Sequence, residues 1–436
     1  MGKPGLVLAP KYGIKVHSGD PKECALSPLP GQTYADNPGL LKLALYCEGL
    51  RLDPSATALL EKGRGIKRTR AGLGSGLELV LPGGLWTNAP VAEAFCAESD
   101  FTLHAEADAL FLRYREGAAI PVKLAPRPAW YDHKCSSGKP MAKVGTLQGT
   151  YLGIYPTKVC EFWQGPDKEM CKYCSVGLNL GLDDAVEKTV AEVLEVVHAA
   201  RAASGITYVD FNTGHYADSS FLDALEPMIK AVKRETGLLI GVQTPPHPDL
   251  NRYDRLYELG VNRVSFCFEI YDPVRFKEVC PGKDRAYGLD RYLATMDYCA
   301  KLVRKPRLRQ PWVTNGEIIA GLEDPASTIA AIDRITSVGA IPTVCVFRPL
   351  IGTTYEHLPP PQTQDMIPVF RYLYEACMAQ DLPIGLAPNI NVSLVMLPEE
   401  CAWLSPKGFP WKQFKLGLKK QVFRRVFEHQ LRTTGN

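Results

Sequence analysis

From about residue 150 the chain alternates strand-length apolar runs with helical stretches, six times over, and this alternation restricts its fold more than any other feature. Gly153–Tyr155, Thr207–Phe211, Leu238–Val242, Val264–Glu269, Gly316–Ala320 and Pro342–Phe347 read as strands. Helical stretches follow them at 184–203, 221–236, 253–259, 288–302, 326–338 and 363–380. Strands joined through helices pair in parallel, with right-handed crossovers. The expected fold is therefore α/β, with six units curling into a partial barrel. Functional residues of such a barrel collect at the strand ends.

Residues 1–147 have a different rhythm. They are rich in Gly and Pro and hold short apolar runs at Leu77–Leu81, Phe101–His104 and Ala109–Tyr114. With helices at Leu40–Leu50 and Ala92–Ala97, they read as a small α+β module. Residues 148–385 read as the barrel and 386–436 as a helical extension. In Trp411–Phe427, Phe414, Leu418, Val422 and Val426 recur at helical spacing, with Lys and Arg on the other face. Such a helix either closes a domain with a solvated basic face or docks on acidic lipid or a partner. Both flanks are expected to cover the open side and mouth of the barrel, using Trp86, Trp130 and the tail's apolar stripe.

The first strand leads into a loop carrying Cys160, Cys171 and Cys174, with Tyr173 just before the last. Three thiolates from one loop suit three irons of a [4Fe–4S] cluster and leave the fourth open to another ligand. A structural zinc site needs four protein ligands, commonly two pairs. Only one C-x-x-C pair occurs here, and Cys135 or His133 would have to supply the fourth ligand. The 13 cysteines of the chain, with no secretory leader and no stretch of 18 apolar residues, fit a reducing cytoplasm. A net charge of +3 gives no reason to expect nucleic acid as a partner. His215, His247 and Arg348 fall at strand ends, and Cys267, Cys280 and Cys345 are candidates for a hydrogen-atom donor or an extra ligand. The ordinary reading of each is structural: a satisfied histidine, a salt bridge, a small buried hydrophobe.

With that loop ahead of a β/α series, residues 150–370 resemble the radical S-adenosylmethionine (SAM) superfamily. Cys160, Cys171 and Cys174 match its three cluster ligands in order, although ten residues separate the first two where the usual spacing is C-x3-C-x2-C. The resemblance implies a partial (β/α)6 barrel holding a [4Fe–4S] cluster and S-adenosyl-L-methionine. It puts Tyr173 near the adenine, Thr213 and Gly214 at the amino group, Ser265 and Glu269 at ribose and aminoacyl groups, and Gly321 beside the adenine. Phe347–Thr353 resembles the end of its sixth strand. Arg70-Ala-Gly-Leu-Gly74, Pro82–Pro90, Arg127–Tyr131 and Cys160-Glu-Phe-Trp163 are similar to segments of a biotin-synthase-like subfamily encoded beside nitrilases.

The resemblance implies an enzyme that cleaves SAM to a 5′-deoxyadenosyl radical, which takes hydrogen from a small-molecule substrate. A flavodoxin- or ferredoxin-type donor would supply the electron. Corrinoid-assisted methyl transfer is an alternative within that class, disfavoured because no D-x-H-x-x-G segment occurs. The rival from another class is a non-catalytic binding protein stabilised by zinc or a cluster.

Overall fold

The computed structural model describes residues 32–61, 67–68, 75–156, 158–164, 168–302 and 311–433. Arg70–Gly74 lies outside the described residues. The N-terminal strands are β1 (Arg51–Leu52), β2 (Lys67–Arg68), β3 (Ser75–Val80), β4 (Trp86–Ala89), β5 (Phe101–Glu106), β6 (Ala109–Tyr114) and β7 (Ile120–Leu124). They form one mostly antiparallel sheet with the order β1-β5-β6-β7-β3-β2, and β4 pairs with β3. Period-two alternation puts Phe101, Leu103, Leu110, Leu112, Ile120 and Val122 on its inner face, in an apolar cluster of its own. The second sheet comprises β8 (Thr146–Gln148), β9 (Tyr151–Ile154), β10 (Tyr208–Asn212), β11 (Leu239–Gln243), β12 (Arg263–Glu269), β13 (Val313–Ala320) and β14 (Ile341–Val346).

The second sheet runs β14-β13-β12-β11-β10-β9-β8. β9 to β14 are parallel throughout, and only β8 is antiparallel. The two ends do not pair, so this is a partial (β/α)6 barrel. Its strands are buried on both faces, as helix-covered parallel strands are, with Val209, Phe211, Ile240, Val264, Phe266 and Ile318 each fully enclosed. Helices Phe221–Thr236 and Gly288–Leu302 fall at their predicted bounds. The first turns on Phe221, Leu222, Leu225, Met228, Ile229 and Val232 as one buried stripe, and Gly237 in the left-handed region (φ 65°) ends it.

Three expectations fail locally. The helix expected from Asp184 begins at Val190. Thr189 caps it in a reciprocal box with Glu192, while Asp184 is turned back onto Lys188 at 2.7 Å and Val186 faces solvent. The helix expected at Ala92–Ala97 is a 3-10 turn, Ala94–Glu98, and a true second helix lies at Pro54–Glu61. Third, the tail helix, Pro410–Thr433, does not pack through Phe414, Leu418, Val422 and Val426, which are exposed. It docks with the opposite side, through Leu416, Phe423, Phe427 and Leu431. The sequence is apolar on both faces, so periodicity alone could not say which face is inward.

The two flanks meet each other through buried polar contacts. Lys42, wholly buried in helix Pro38–Glu48, reaches Glu400 at 2.7 Å and the Val392 carbonyl at 3.0 Å. The Tyr46 hydroxyl donates to the Ser393 carbonyl at 2.6 Å. Trp130 joins the barrel core, whereas Trp86 stays half-buried at the start of β4. Lys42→Ala would strand Glu400 without its cation, and removing one partner of a buried pair costs about 3 kcal/mol or more. Urea titration of the full chain should show a loss of that size, and a change under ~0.5 kcal/mol would remove Lys42 from any structural role.

Candidate functional site

A cavity of about 560 Å³ runs through the barrel. Residues at strand starts (Tyr208, Leu239, Arg263) and just past strand ends (Thr213, Gly214, Thr244) all line it, so it reaches from one mouth to the other. Cys160, Cys171, Cys174 and Tyr173 line the mouth at the strand ends. The far end is lined by Pro383–Ala387, Leu394–Glu399 and Phe423 of the tail helix.

Local structure fixes the cysteine loop. Cys160 opens a 3-10 turn over Glu161–Trp163, and its sulfur accepts from the His215 amide at 3.3 Å. A turn brings the Cys174 amide to the Cys171 carbonyl at 3.0 Å, and the Lys172 amide donates to Val279. Gly214 follows β10 directly against this loop. A Cβ there would lie 2.4 Å from that of Cys160, so only glycine lets the turn approach. Thr213 is buried, with its amide on the Gln243 carbonyl at 3.0 Å.

Glu269 ends β12 in the left-handed region at φ 70°, next to a register shift between Cys267 and Glu269. A non-glycine residue is strained there, and such strain persists only where surroundings enforce it. Here Lys283 holds the carboxylate at 3.2 Å, and the Tyr173 hydroxyl lies beside it. Burial pushes the Glu269 carboxyl up, partly countered by Lys283. Burial opposes the charge on Lys283, but Glu269 and Cys171 outweigh it and hold its pKa above the usual lysine value. The Cys171 thiol is brought down to about 7, first by a hydrogen bond with Cys280 and then, against burial, by Lys283. Burial pushes Cys160 up to about 11 and Cys174 up to about 12.

The cavity thus gathers Cys160, Cys171, Cys174, Tyr173, Thr213, Gly214 and Glu269. Two other expected residues stand elsewhere. Ser265 is fully buried outside the cavity lining, and its hydroxyl donates to Glu317 at 2.7 Å. Gly321 (φ 97°) turns the chain after β13 against Pro361, away from the cavity wall. Arg348 is buried and donates to Asn88 Oδ1 at 3.0 Å, which ties the barrel to the N-terminal sheet rather than facing a substrate. His247 bonds within its own turn to Asp249. His215 does face the cavity, stacked on Phe162 at 4.1 Å and bonded to Tyr287 at 2.5 Å. Cys267 and Cys345 line the lumen, while Cys280 stands behind Cys171.

Sequence reasoning missed Lys283, Arg263, Asp210 and Glu317. For Asp210 and Glu317 a signal existed: charged residues in the middle of otherwise apolar parallel strands, whereas Arg263 opens β12. Lys283 carried none, because it sits on a six-residue helix, Pro281–Ala286, inserted between β12 and its long crossover helix.

The donor set fits a cluster better than a single ion. Among the described residues no group of three His, Cys, Asp or Glu side chains is placed to hold one metal ion. Thiolates of a cluster bind separate irons, so they need to border a common space rather than converge on one point. Cys160, Cys171 and Cys174 do border one.

No family model matches the chain. It is 21% identical over 259 residues to bacteriochlorophyllide c C-7(1)-hydroxylase of Chlorobaculum limnaeum, covering 55% of this chain and 63% of that protein. The chain therefore spans less than two thirds of this curated relative. Among solved structures it is similar to methylornithine synthase, PylB, with 18% identity and a TM-score of 0.41 over 52% of this chain and 62% of that one. It is likewise similar to coproporphyrinogen III oxidase, HemN, from Escherichia coli, a radical SAM enzyme, with 14% identity and a TM-score of 0.35 over 53% and 52% of the two chains. In its cysteine loop and its six parallel strands, the chain is similar to the radical SAM superfamily.

At the far end of the cavity, burial pushes the Glu399 carboxyl up to about 7. A carboxylic acid with a raised folded-state pKa favours folding fully below its unfolded value, near 4.5, and that contribution is lost as pH rises through 7. Because the residue is only half-buried, the effect should be on the order of 1 kcal/mol. Glu399→Gln should therefore raise stability at pH 8 relative to wild type and leave it unchanged at pH 4. Equal effects at both values in thermal melts would show that Glu399 does not titrate in this range.

Proposed function

We propose that the chain is a radical SAM enzyme whose cluster is held by Cys160, Cys171 and Cys174 and whose substrate, a small molecule, occupies the barrel cavity. The observation that carries this is the meeting of three loop thiols, a glycine turn and a charged pair at one mouth of a cavity through a parallel barrel. When bound, the cluster supplies one electron to SAM, and cleavage of its C–S bond gives the 5′-deoxyadenosyl radical.

The chain's own residues do the rest. Gly214 and the Thr213 turn offer backbone at the loop, where SAM's amino group would be bound. Glu269, fixed by Lys283, offers a carboxylate to ribose or aminoacyl groups, with Tyr173 beside it. Ser265 acts on the site through Glu317 and Arg263, and Gly321 by shaping the turn after β13. Enclosure by the flanks excludes water from the reacting groups. The domain division at 147 and 385, a flavodoxin- or ferredoxin-type donor and a cytoplasmic setting belong to the same reading. No helix among the described residues is long and apolar enough to cross a membrane.

Anaerobic reconstitution tests the assignment. Wild type should take up about four irons and four sulfides per chain, and the triple Cys→Ala variant at 160, 171 and 174 close to none. A full cluster in that variant, or a colourless zinc protein from wild type, would sink the assignment. Under dithionite the reconstituted protein should release 5′-deoxyadenosine and methionine from SAM. Glu269→Gln should weaken SAM binding by about tenfold, the scale of one charge-assisted hydrogen bond, and unchanged binding would exclude that contact.

A further inference from the structure

The tail helix Pro410–Thr433 presents five apolar side chains to solvent on the face opposite its docked one. Trp411, Phe414, Leu418, Val422 and Val426 are between 49% and 65% exposed. They follow helical spacing over about 22 Å of helix. Trp411 and Phe414 stack on each other at 5.8 Å. Lys415 and Arg425 are exposed among these side chains, Lys415 with its ammonium over the Trp411 ring at 5.4 Å, and such stems run beside apolar groups while their charges reach outward. The helix carries seven Lys and Arg against one Glu, a net of +6, in a chain whose total is +3. Everything outside the helix is therefore net −3, and the basic charge of the protein is concentrated here.

We propose that this helix lies on an anionic bilayer surface, with the apolar stripe in the interface and the flanking cations on lipid phosphates. The charge argues for an anionic occupant. The stripe argues against nucleic acid, whose backbone offers no apolar surface for five large side chains. A second copy docked stripe to stripe would bring +6 against +6. Amphipathic helices with aromatic and aliphatic side chains between basic ones bind such surfaces lying flat, and anionic lipid strengthens them. Phe423, from the docked face of this helix, lines the cavity. Bound lipid would then lie one helix diameter, about 10 Å, from the far end of the cavity.

Flotation of the full chain with phosphatidylcholine vesicles, with and without phosphatidylglycerol, tests this. Binding should appear with phosphatidylglycerol, fall with added salt and weaken at least tenfold in a Phe414→Glu/Val422→Glu variant. These side chains are exposed, so the variant should melt with wild type. The charge reversal Lys415→Glu/Arg425→Glu, which leaves the stripe intact, should lose the preference for phosphatidylglycerol. Absence of binding to anionic vesicles, or equal binding by the stripe variant, overturns the proposal. So does a dimer in sedimentation that the stripe variant abolishes, since the occupant would then be a second copy.

Discussion

Glu317 lies mid-strand in β13, in a parallel sheet whose neighbours are apolar, and a carboxylate there is tolerated only if its charge is met. Arg263 meets it at 2.6 Å, Ser265 at 2.7 Å, Gln243 at 2.9 Å and the Cys267 thiol at 3.1 Å. The same guanidinium reaches Asp210 at 3.2 Å. Four adjacent strands, β10 to β13, are thus joined on their inner face by one cation, two carboxylates and, from β11, the Gln243 amide. Burial pushes Asp210 up while Arg263 pulls it back. Such a network adds little net stability, because desolvation offsets most of the attraction. Its consequence is shape. Closed barrels fill their interior with Leu, Ile and Val, whereas paired charges that must stay extended toward each other keep this lumen open.

The fold was legible because its strongest signals were local. Phe221–Thr236 and Gly288–Leu302 could be bounded from apolar spacing and a following or preceding glycine, and most strands fell within a residue or two. What failed depended on information outside the segment. The start at Val190 was decided by whether Thr189 or an earlier residue would cap, and the buried Asp184–Lys188 pair withdrew the earlier residues. The inward face of the tail helix was decided by which stripe found a partner. In the site, the cysteines were visible because chemistry demands their type and their loop. Lys283 was not, since nothing near it in sequence announces that its short helix will fold under Cys171. Ser265 obeyed the alternation expected of it, yet Glu317 had already engaged its hydroxyl, and periodicity says nothing about occupancy.

The same distinction bears on where the ligating power of the loop resides. A loop that carries three thiolates needs positive potential around it, because like charges raise one another's pKa. The segment 160–174 supplies no net positive charge itself: it carries Lys168 and Lys172 against Glu161, Asp167 and Glu169. The compensation comes from elsewhere: the His215 amide on the Cys160 sulfur, and at Cys171 the Cys280 hydrogen bond first and Lys283 after it. Lys283 reaches that position because Glu269 anchors it, and Glu269 points there because β12 ends in a strained residue at φ 70°. Strain in one backbone position thus fixes a carboxylate and the carboxylate fixes an ammonium, which adds to the Cys280 hydrogen bond in lowering the Cys171 thiol. The thiols belong to the loop, but the groups that lower the Cys171 thiol, Cys280 first and Lys283 after it, come from the segment that follows β12.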